Sequence, residues 1–128
     1  MKALIVDDSR AIRSMLARLL KSKGIETAEA GNGKEALAVL STRSDFDLGF
    51  FDWNMPEMDG FELLKAVRAN VANAAMRVMM ITTESEMPRM SAALEAGANE
   101  YLMKPFSPES FFDKLVILGA VAEAESVT

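Results

Sequence analysis

Short apolar runs alternate with amphipathic segments along the 128 residues of the chain. The first run, at 3–6, is continuous rather than alternating, which is typical of a strand buried on both faces. Further strands are predicted at 48–51, 76–81 and 100–103, and a short outer strand at 25–28. Each is followed by a segment with apolar residues at helical three-and-four spacing. The pattern predicts an α/β domain, in which five helices cover both faces of a five-stranded parallel sheet.

Three helix starts are marked by capping residues. Asn32 and Asp59 each precede a Glu by three positions, which is the pattern of a capping box. Ser107 precedes a Pro at the first helical position and predicts the start of the last helix. Gly24 is expected to end the first helix. These signals place the helices between the strands of the predicted sheet.

Two predicted elements contain unusual residues. Gly49 lies inside the third strand, where a glycine indicates a bulge or a close backbone approach. The fourth helix is predicted to turn Met87, Met90 and Leu94 towards the core. Pro88 is then expected in its first turn, where a missing amide hydrogen is tolerated.

The composition excludes several kinds of chemistry. The chain has no Cys and no His, so it lacks the usual zinc ligands, a thiol nucleophile and an imidazole base. Its net charge of −5 argues against a nucleic-acid surface, which needs clustered Lys and Arg. No apolar run approaches the roughly 18 residues of a membrane span, and no secretory leader fits before the first strand. We therefore expect a cytoplasmic protein that binds neither nucleic acid nor membranes.

The chain shows no linker, internal repeat or low-complexity segment that would divide it. Residues 1–122 are therefore predicted to form one domain without an output domain, and to be monomeric. Residues 123–128 contain little that could be buried, and we expect this tail to fray.

Polar side chains with complementary chemistry follow the predicted strands. Asp7 and Asp8 come after the first strand, Asp52 after the third, Thr82 after the fourth and Lys104 after the fifth. The carboxyl ends of parallel strands lie at the same edge of a sheet, and ligands bind there. We therefore expect these five side chains to meet at one edge.

Three carboxylates at one edge repel each other unless cations compensate their charge. With no His or Cys present, the expected cation is Mg²⁺, with Mn²⁺ as the alternative, because both prefer oxygen ligands. A Lys supplies a point charge that suits a phosphate. Carboxylates, a divalent ion, a Lys and a Thr hydroxyl at one place indicate phosphoryl transfer to an Asp.

Four ordered motifs carry a family resemblance: VDDS at 6–9, FFDWNMPEMDG at 50–60, ITTE at 81–84 and YLMKPF at 101–106. The chain resembles the receiver domain of two-component response regulators from about residue 2 to 119, and the stand-alone chemotaxis regulators in particular. The resemblance implies a flavodoxin-like, doubly wound five-stranded parallel sheet in the order 2-1-3-4-5, with five helices.

The resemblance also implies a role for each motif. Asp52 would be the phosphoacceptor, taking a phosphoryl group from a histidine kinase. Asp7 and Asp8 would hold Mg²⁺ together with Asp52 and the backbone carbonyl of Asn54. Lys104 would pair with the phosphate, and the peptide bond that follows it is usually cis in this family.

A second group of residues would regulate the phosphorylated state. Thr82 and Tyr101 are similar to a switch pair, in which the hydroxyl turns towards the phosphoryl group and the ring follows inwards. Asn54 and Glu84 are similar to residues that tune dephosphorylation. Thr83 stands where the family commonly has Ala or Gly and is expected to control access to the site. Trp53 is expected to be a partly exposed neighbour of the site.

The implied function is a phosphorylation-dependent switch in chemotaxis that binds a flagellar motor switch protein. It is a signalling protein, which catalyses only its own phosphorylation and dephosphorylation, and a phosphatase is a further expected partner. The alternative is a single-domain shuttle that passes the phosphoryl group to a histidine phosphotransfer protein. A haloacid-dehalogenase-like phosphatase is disfavoured, because that class needs an Asp where this chain has Asn54. A flavodoxin-type flavin carrier and a receiver-like module that only binds partners are disfavoured by the carboxylates and Lys104.

Overall fold

The computed structural model describes residues 1–122, and the predicted frayed tail at 123–128 lies outside them. Five parallel strands form one sheet in the order β2-β1-β3-β4-β5, which confirms the predicted topology. β1 pairs with β2 on one side and with β3 on the other, so the strand order reverses beside β1. The strands are β1 (Lys2–Val6), β2 (Glu26–Ala30), β3 (Leu48–Asp52), β4 (Arg77–Thr82) and β5 (Glu100–Met103).

Five α-helices alternate with the strands and divide the core into two layers. Apolar side chains of α1 and α5 pack against one face of the sheet, and those of α2, α3 and α4 against the other. None of the described helices is both long enough and apolar enough to cross a lipid bilayer. The helices are α1 (Arg10–Lys21), α2 (Gly33–Thr42), α3 (Gly60–Ala69), α4 (Met90–Glu95) and α5 (Pro108–Ile117), and two 3₁₀ helices span Val71–Asn73 and Glu84–Arg89.

The predicted caps stand at the helix starts. The Asn32 side chain accepts a hydrogen bond from the backbone amide of Glu35 at 2.9 Å. Asp59 and Glu62 form a complete capping box, each side chain bonding the backbone amide of the other. Ser107 caps α5 through the amide of Ser110. These bonds occupy amide donors that would otherwise be unpaired at the helix starts.

The fourth helix differs from its prediction. The segment Glu84–Arg89 is a 3₁₀ helix, so Pro88 lies in it and α4 begins only at Met90. Met90 is buried as predicted, but Leu94 is 43 % exposed. The buried positions of α4 are Met90 and Ala93, so the helix turns Leu94 towards solvent.

Gly49 does not form a bulge. β3 keeps an unbroken register with both neighbours, and Gly49 lies opposite Leu4 in β1. A Cβ atom at this position would lie 2.8 Å from the Phe51 ring, so the glycine provides a close approach of that ring to the strand. β2 also starts and ends later than predicted, because its pairing with β1 extends to Ala30.

Candidate functional site: an acidic cluster at the carboxyl edge of the sheet

Three carboxylates meet at the carboxyl edge of the sheet, beside the place where the strand order reverses. Asp7 and Asp8 follow β1, and Asp52 is the last residue of β3. One oxygen of each can be chosen so that all three lie within 4.8 Å of one another. Asp7 and Asp52 are only 1 % and 5 % exposed, whereas Asp8 is exposed. The predicted convergence of the three carboxylates is therefore present.

The start of α3 fixes the backbone at Asp52. A Cβ atom at Gly60 would lie 2.2 Å from the carbonyl oxygen of Asp52, so only glycine allows the helix to approach this closely. The Gly60 amide donates to the Trp53 carbonyl at 2.8 Å, and the Trp53 amide donates to Ile81 in β4 at 3.0 Å. Asp52 is therefore placed by a buried strand and by a helix packed against its own peptide group.

Asp7 is held by contacts on both sides. Its Oδ1 accepts the backbone amide of Ser9 at 2.8 Å, and its Oδ2 pairs with Lys104 at 3.0 Å. Its carbonyl accepts Arg13 Nη1 at 2.6 Å, and Arg13 also pairs with Glu29 in β2 at 3.1 Å. Sequence reasoning missed Arg13. It lies one turn into α1, and nothing in its spacing shows that it reaches back to the end of β1.

Lys104 joins two of the three carboxylates. Its Nζ lies 3.0 Å from Asp7 and 3.1 Å from Asp52. Its backbone amide donates to the Thr82 carbonyl at 2.6 Å, and the Lys104–Pro105 peptide bond is cis. Burial alone would lower the pKa of Lys104, but pairing with Asp7 and Asp52 raises it above its ordinary value. The ammonium group is therefore charged at neutral pH.

The pKa of Asp52 lies above its ordinary value. Burial, with added repulsion from Asp7, raises its pKa from an ordinary 3.8 to about 6. Lys104 acts in the opposite direction without offsetting the other two effects. Asp52 is thus mainly ionised at neutral pH but holds a charge that the site does not fully compensate. Such a carboxylate gains from any further cation beside it.

The acidic cluster fits a hard divalent cation. All three side chains offer carboxylate oxygens, which is the ligand type that Mg²⁺ and Mn²⁺ prefer. The exposed position of Asp8 leaves the cluster open to solvent, as Mg²⁺ requires if it is to keep some of its waters. One Lys faces three carboxylates, so negative charge is in excess, and repulsion from Asp7 adds to the larger effect of burial in raising the pKa of Asp52.

The two predicted switch residues lie on neighbouring strands. Thr82 ends β4 and is fully buried, and its hydroxyl donates to the Thr83 carbonyl at 3.2 Å. Tyr101 lies in β5, half-buried against the core layer of α2, α3 and α4. Lys114 Nζ lies 4.6 Å from the centre of the Tyr101 ring and pairs with Glu100 at 2.8 Å. The Tyr101 ring therefore stands between the core and a cation of α5.

The predicted tuning residues lie at the rim. Asn54, Thr83 and Glu84 are all exposed. Among the described residues, neither Asn54 nor Glu84 shares a hydrogen bond with the three carboxylates. Thr83 lies beside Lys104 in the wall of one cavity. The structure therefore brings together Asp7, Asp8, Asp52 and Lys104, and arranges the other predicted residues around them.

The expectation for Trp53 was wrong. Trp53 is only 2 % exposed and stacks on Phe61 of α3, with 5.3 Å between the ring centres. The Arg89 guanidinium lies 5.0 Å from the Trp53 ring. The indole Nε1 is buried and has no hydrogen-bond partner among residues 1–122. The position of Trp53 next to Asp52 suggested an exposed ring, but α3 and the 3₁₀ helix before α4 cover it.

A family model described as response regulator receiver domain matches residues 3–116. "Chemotaxis protein CheY1" of Helicobacter pylori is 42 % identical to the chain over 121 residues, covering 93 % of this chain and 98 % of that protein. "Chemotaxis protein CheY homolog" of Campylobacter jejuni is 41 % identical over 116 residues, covering 90 % of this chain and 89 % of that protein.

The fold is also similar to a solved structure of Vibrio cholerae chemotaxis protein CheY4, with a TM-score of 0.82 and 39 % sequence identity. The alignment covers 90 % of this chain and 95 % of that one. The likeness in sequence and in fold therefore extends over nearly the whole chain.

Proposed function

The chain belongs to the response regulator receiver domain family of two-component signalling proteins, and we propose that Asp52 is its phosphoacceptor, taking a phosphoryl group from a histidine kinase. The similarity to chemotaxis proteins supports chemotaxis as its pathway. The observation that carries the proposal is the position of Asp52, which lies within 3.1 Å of Lys104 and beside two further carboxylates.

In the transfer step, a carboxylate oxygen of Asp52 attacks the phosphorus of the donor phosphohistidine. The new P–O bond forms as the P–N bond breaks, and the donor imidazole takes up a proton. In dephosphorylation, water attacks the phosphorus, the bond to Asp52 breaks, and inorganic phosphate leaves. The Lys104 ammonium lies beside Asp52, where negative charge develops on the transferring group. Lys104 is held there by Asp7, which pairs with its ammonium, and by the Thr82 carbonyl, which accepts its backbone amide.

Asp7, Asp8 and Asp52, with the Asn54 carbonyl, would hold a Mg²⁺ ion. When bound, the ion supplies positive charge that neutralises the oxygens of the transferring group. The three carboxylates alone would oppose an incoming phosphoryl group. Their excess charge therefore makes phosphorylation dependent on the cation.

The signal would leave the site through the switch residues. A phosphoryl group adds about 1.5 to 2 negative charges and three acceptor oxygens, which favour conformations that aim Thr82 and Lys104 at Asp52. Release of the Thr82 hydroxyl from the Thr83 carbonyl allows the neighbouring Tyr101 ring to move inwards. The surface around α4, β5 and α5 then changes for a flagellar motor switch protein. In this proposal, residues 1–122 act as one monomeric cytoplasmic domain.

The proposal is tested by incubating the protein with Mg²⁺ and acetyl phosphate and measuring intact mass. We expect one added phosphoryl group on the original sequence and none on Asp52→Asn. Asp113→Asn is the matched control, because Asp113 is an exposed Asp of α5, and it should be labelled normally. Labelling of Asp52→Asn equal to that of the control would contradict the proposal.

The downstream step needs its own experiment. The phosphorylated protein, or its beryllofluoride complex, is mixed with a motor switch protein and with a histidine phosphotransfer protein. Binding to the first only in the phosphorylated state supports the chemotaxis switch. Loss of the label to the second instead supports a phosphorelay shuttle.

A further inference from the structure

The hydroxyl of Thr83 is held by a carboxylate three residues further along the chain. Thr83 Oγ1 donates to Glu86 Oε2 at 2.8 Å, and the Thr83 amide lies 3.4 Å from Glu86 Oε1. Ser85 bonds both partners, with 2.9 Å between its hydroxyl and that of Thr83. Thr83 is thus fixed at the start of the 3₁₀ helix by a group outside the acidic cluster.

Glu86 is in turn held in place. Burial acts to raise its pKa, but hydrogen bonds from Ser85 and Thr83, with the charge of Arg89, keep the pKa below its ordinary value. Arg89 lies over the ring of Trp53, the residue that follows Asp52. The Glu86 carboxylate is therefore an ionised acceptor at neutral pH, in a segment packed against the chain that carries the phosphoacceptor.

Thr83 also borders the space beside Lys104. An apolar cavity of about 460 Å³ lies between α1 and the loop that follows β5. Thr83 therefore shares a cavity wall with Lys104, the residue whose ammonium pairs with Asp52. The cavity is lined by Ile12, Met15, Thr83, Lys104, Pro105 and Phe106.

We propose that Glu86 is a positioning residue that locks the side chain of Thr83 and thereby restricts access to Asp52. The proposal rests on the proposed phosphorylation of Asp52. With its hydroxyl engaged by Glu86, Thr83 holds one orientation, and its bulk stays in the cavity wall beside Lys104. Without the lock, the side chain and the 3₁₀ segment move more freely, and both small phosphodonors and the hydrolytic water reach the phosphorus more readily.

The test measures two rate constants in Mg²⁺: phosphorylation by acetyl phosphate, and loss of the phosphoryl group after the donor is removed. Glu86→Ala is expected to raise both about two- to fivefold, the effect of losing one partly exposed hydrogen bond to a charged group. Glu86→Gln keeps an oxygen that accepts from Thr83 and is expected to stay close to the original rates. The control is Glu95→Ala, since Glu95 is an exposed glutamate of α4.

A second variant separates this role from general support of the fold. Thr83→Val keeps the size of the side chain but removes its hydroxyl, so it is expected to accelerate both steps as Glu86→Ala does. In the Thr83→Val background, Glu86→Ala should add nothing, because the contact is already absent. Chemical denaturation of each variant checks that it is folded.

Two results would overturn the inference alone: rates for Glu86→Ala equal to those of Glu95→Ala, or the same acceleration by Glu86→Ala when Thr83 is Val. Both assume that the original protein is labelled at Asp52. An original protein that takes up no phosphoryl group would overturn the proposed function, and this inference with it.

Discussion

The charged side chains at the two ends of the sheet have different partners. At the amino end of β4 and β5, Arg68 donates to the carbonyls of Gly97 at 2.9 Å and Asn73 at 3.1 Å, and to Asn99 Oδ1 at 2.9 Å. Asn99 Oδ1 also accepts the Val78 amide at 2.8 Å, so this end forms a connected polar network. At the carboxyl end, three carboxylates share one ammonium group.

The comparison contrasts a structural cluster with the proposed phosphorylation site. The Arg68 guanidinium donates to neutral oxygens of the protein, and these charge-assisted hydrogen bonds join α3 to the segments beside β4 and β5. The three carboxylates share one Lys, and the repulsion between them is reduced only by a proton, a cation or a chemical change at Asp52. We therefore expect the Arg68 network to contribute mainly to stability, and the carboxylate cluster to respond to protons and cations.

Removing the structural cluster should have the largest effect on stability. Arg68→Ala removes three hydrogen bonds from a charged donor, each worth about 1 kcal/mol, and we expect the free energy of unfolding to fall by ~3 kcal/mol. Urea denaturation measures the change, with Arg18→Ala on the exposed side of α1 as the control. Labelling of Asp52 should be retained at temperatures where the variant is folded. A loss of stability no greater than that of the control would remove the contrast between the two ends.

Removing the charge of Asp52 should raise the free energy of unfolding. The folded protein binds this proton more tightly than the unfolded chain, since the pKa rises from 3.8 to about 6. The carboxyl therefore contributes stability fully below about pH 4 and loses that contribution as the pH rises through about 6. At pH 7 without divalent ions, Asp52→Asn should be more stable than the original by ~2 kcal/mol.

Urea denaturation in a chelator at pH 4, 5, 6 and 7 tests this prediction. The gain in free energy of unfolding from Asp52→Asn should grow from near zero at pH 4 to its full size at pH 7. Asp113→Asn should show no such growth. A gain that is the same at all four values would mean that ionisation of Asp52 is not its cause.

Magnesium should reduce the same repulsion without a mutation. At a concentration about tenfold above its dissociation constant, Mg²⁺ should stabilise the original protein by ~1.4 kcal/mol. Asp8→Asn should lose most of this effect, because it removes the exposed carboxylate of the cluster. The readout is the thermal midpoint with and without Mg²⁺, and an equal rise in both proteins would argue against the cluster as the binding site.

The smallest expected effect concerns the loop between Asp52 and α3. Glu57 has a φ of 67°, a conformation that glycine adopts without strain. Glu57→Gly is expected to stabilise the fold by ~0.5 kcal/mol, the relief of strain exceeding the greater freedom of the unfolded chain. Glu109→Gly at an exposed position of α5 is the control and should destabilise. Destabilisation by both would show that Glu57 is unstrained.

Local patterns in the sequence determined most of the fold. Mainly apolar runs identified four of the strands, and the second was predicted as a short outer strand. Asn32, Asp59 and Ser107 marked the starts of α2, α3 and α5. A cap or a helical stripe depends on residues close together in the chain, so it can be read without a structure. The parallel sheet then brings Asp52 and Lys104 together, because its strands all end at one edge.

Other features depend on packing between distant segments, and only the tertiary structure decided them. Trp53 is buried because α3 and Arg89 close over it. Leu94 is exposed because α4 packs on the core through Met90 and Ala93. The raised pKa of Asp52 comes from its depth below the surface and from a carboxylate 45 residues away in the chain. Burial and electrostatic repulsion depend on distances in space, whereas the spacing of residues along a chain reports only its local periodicity.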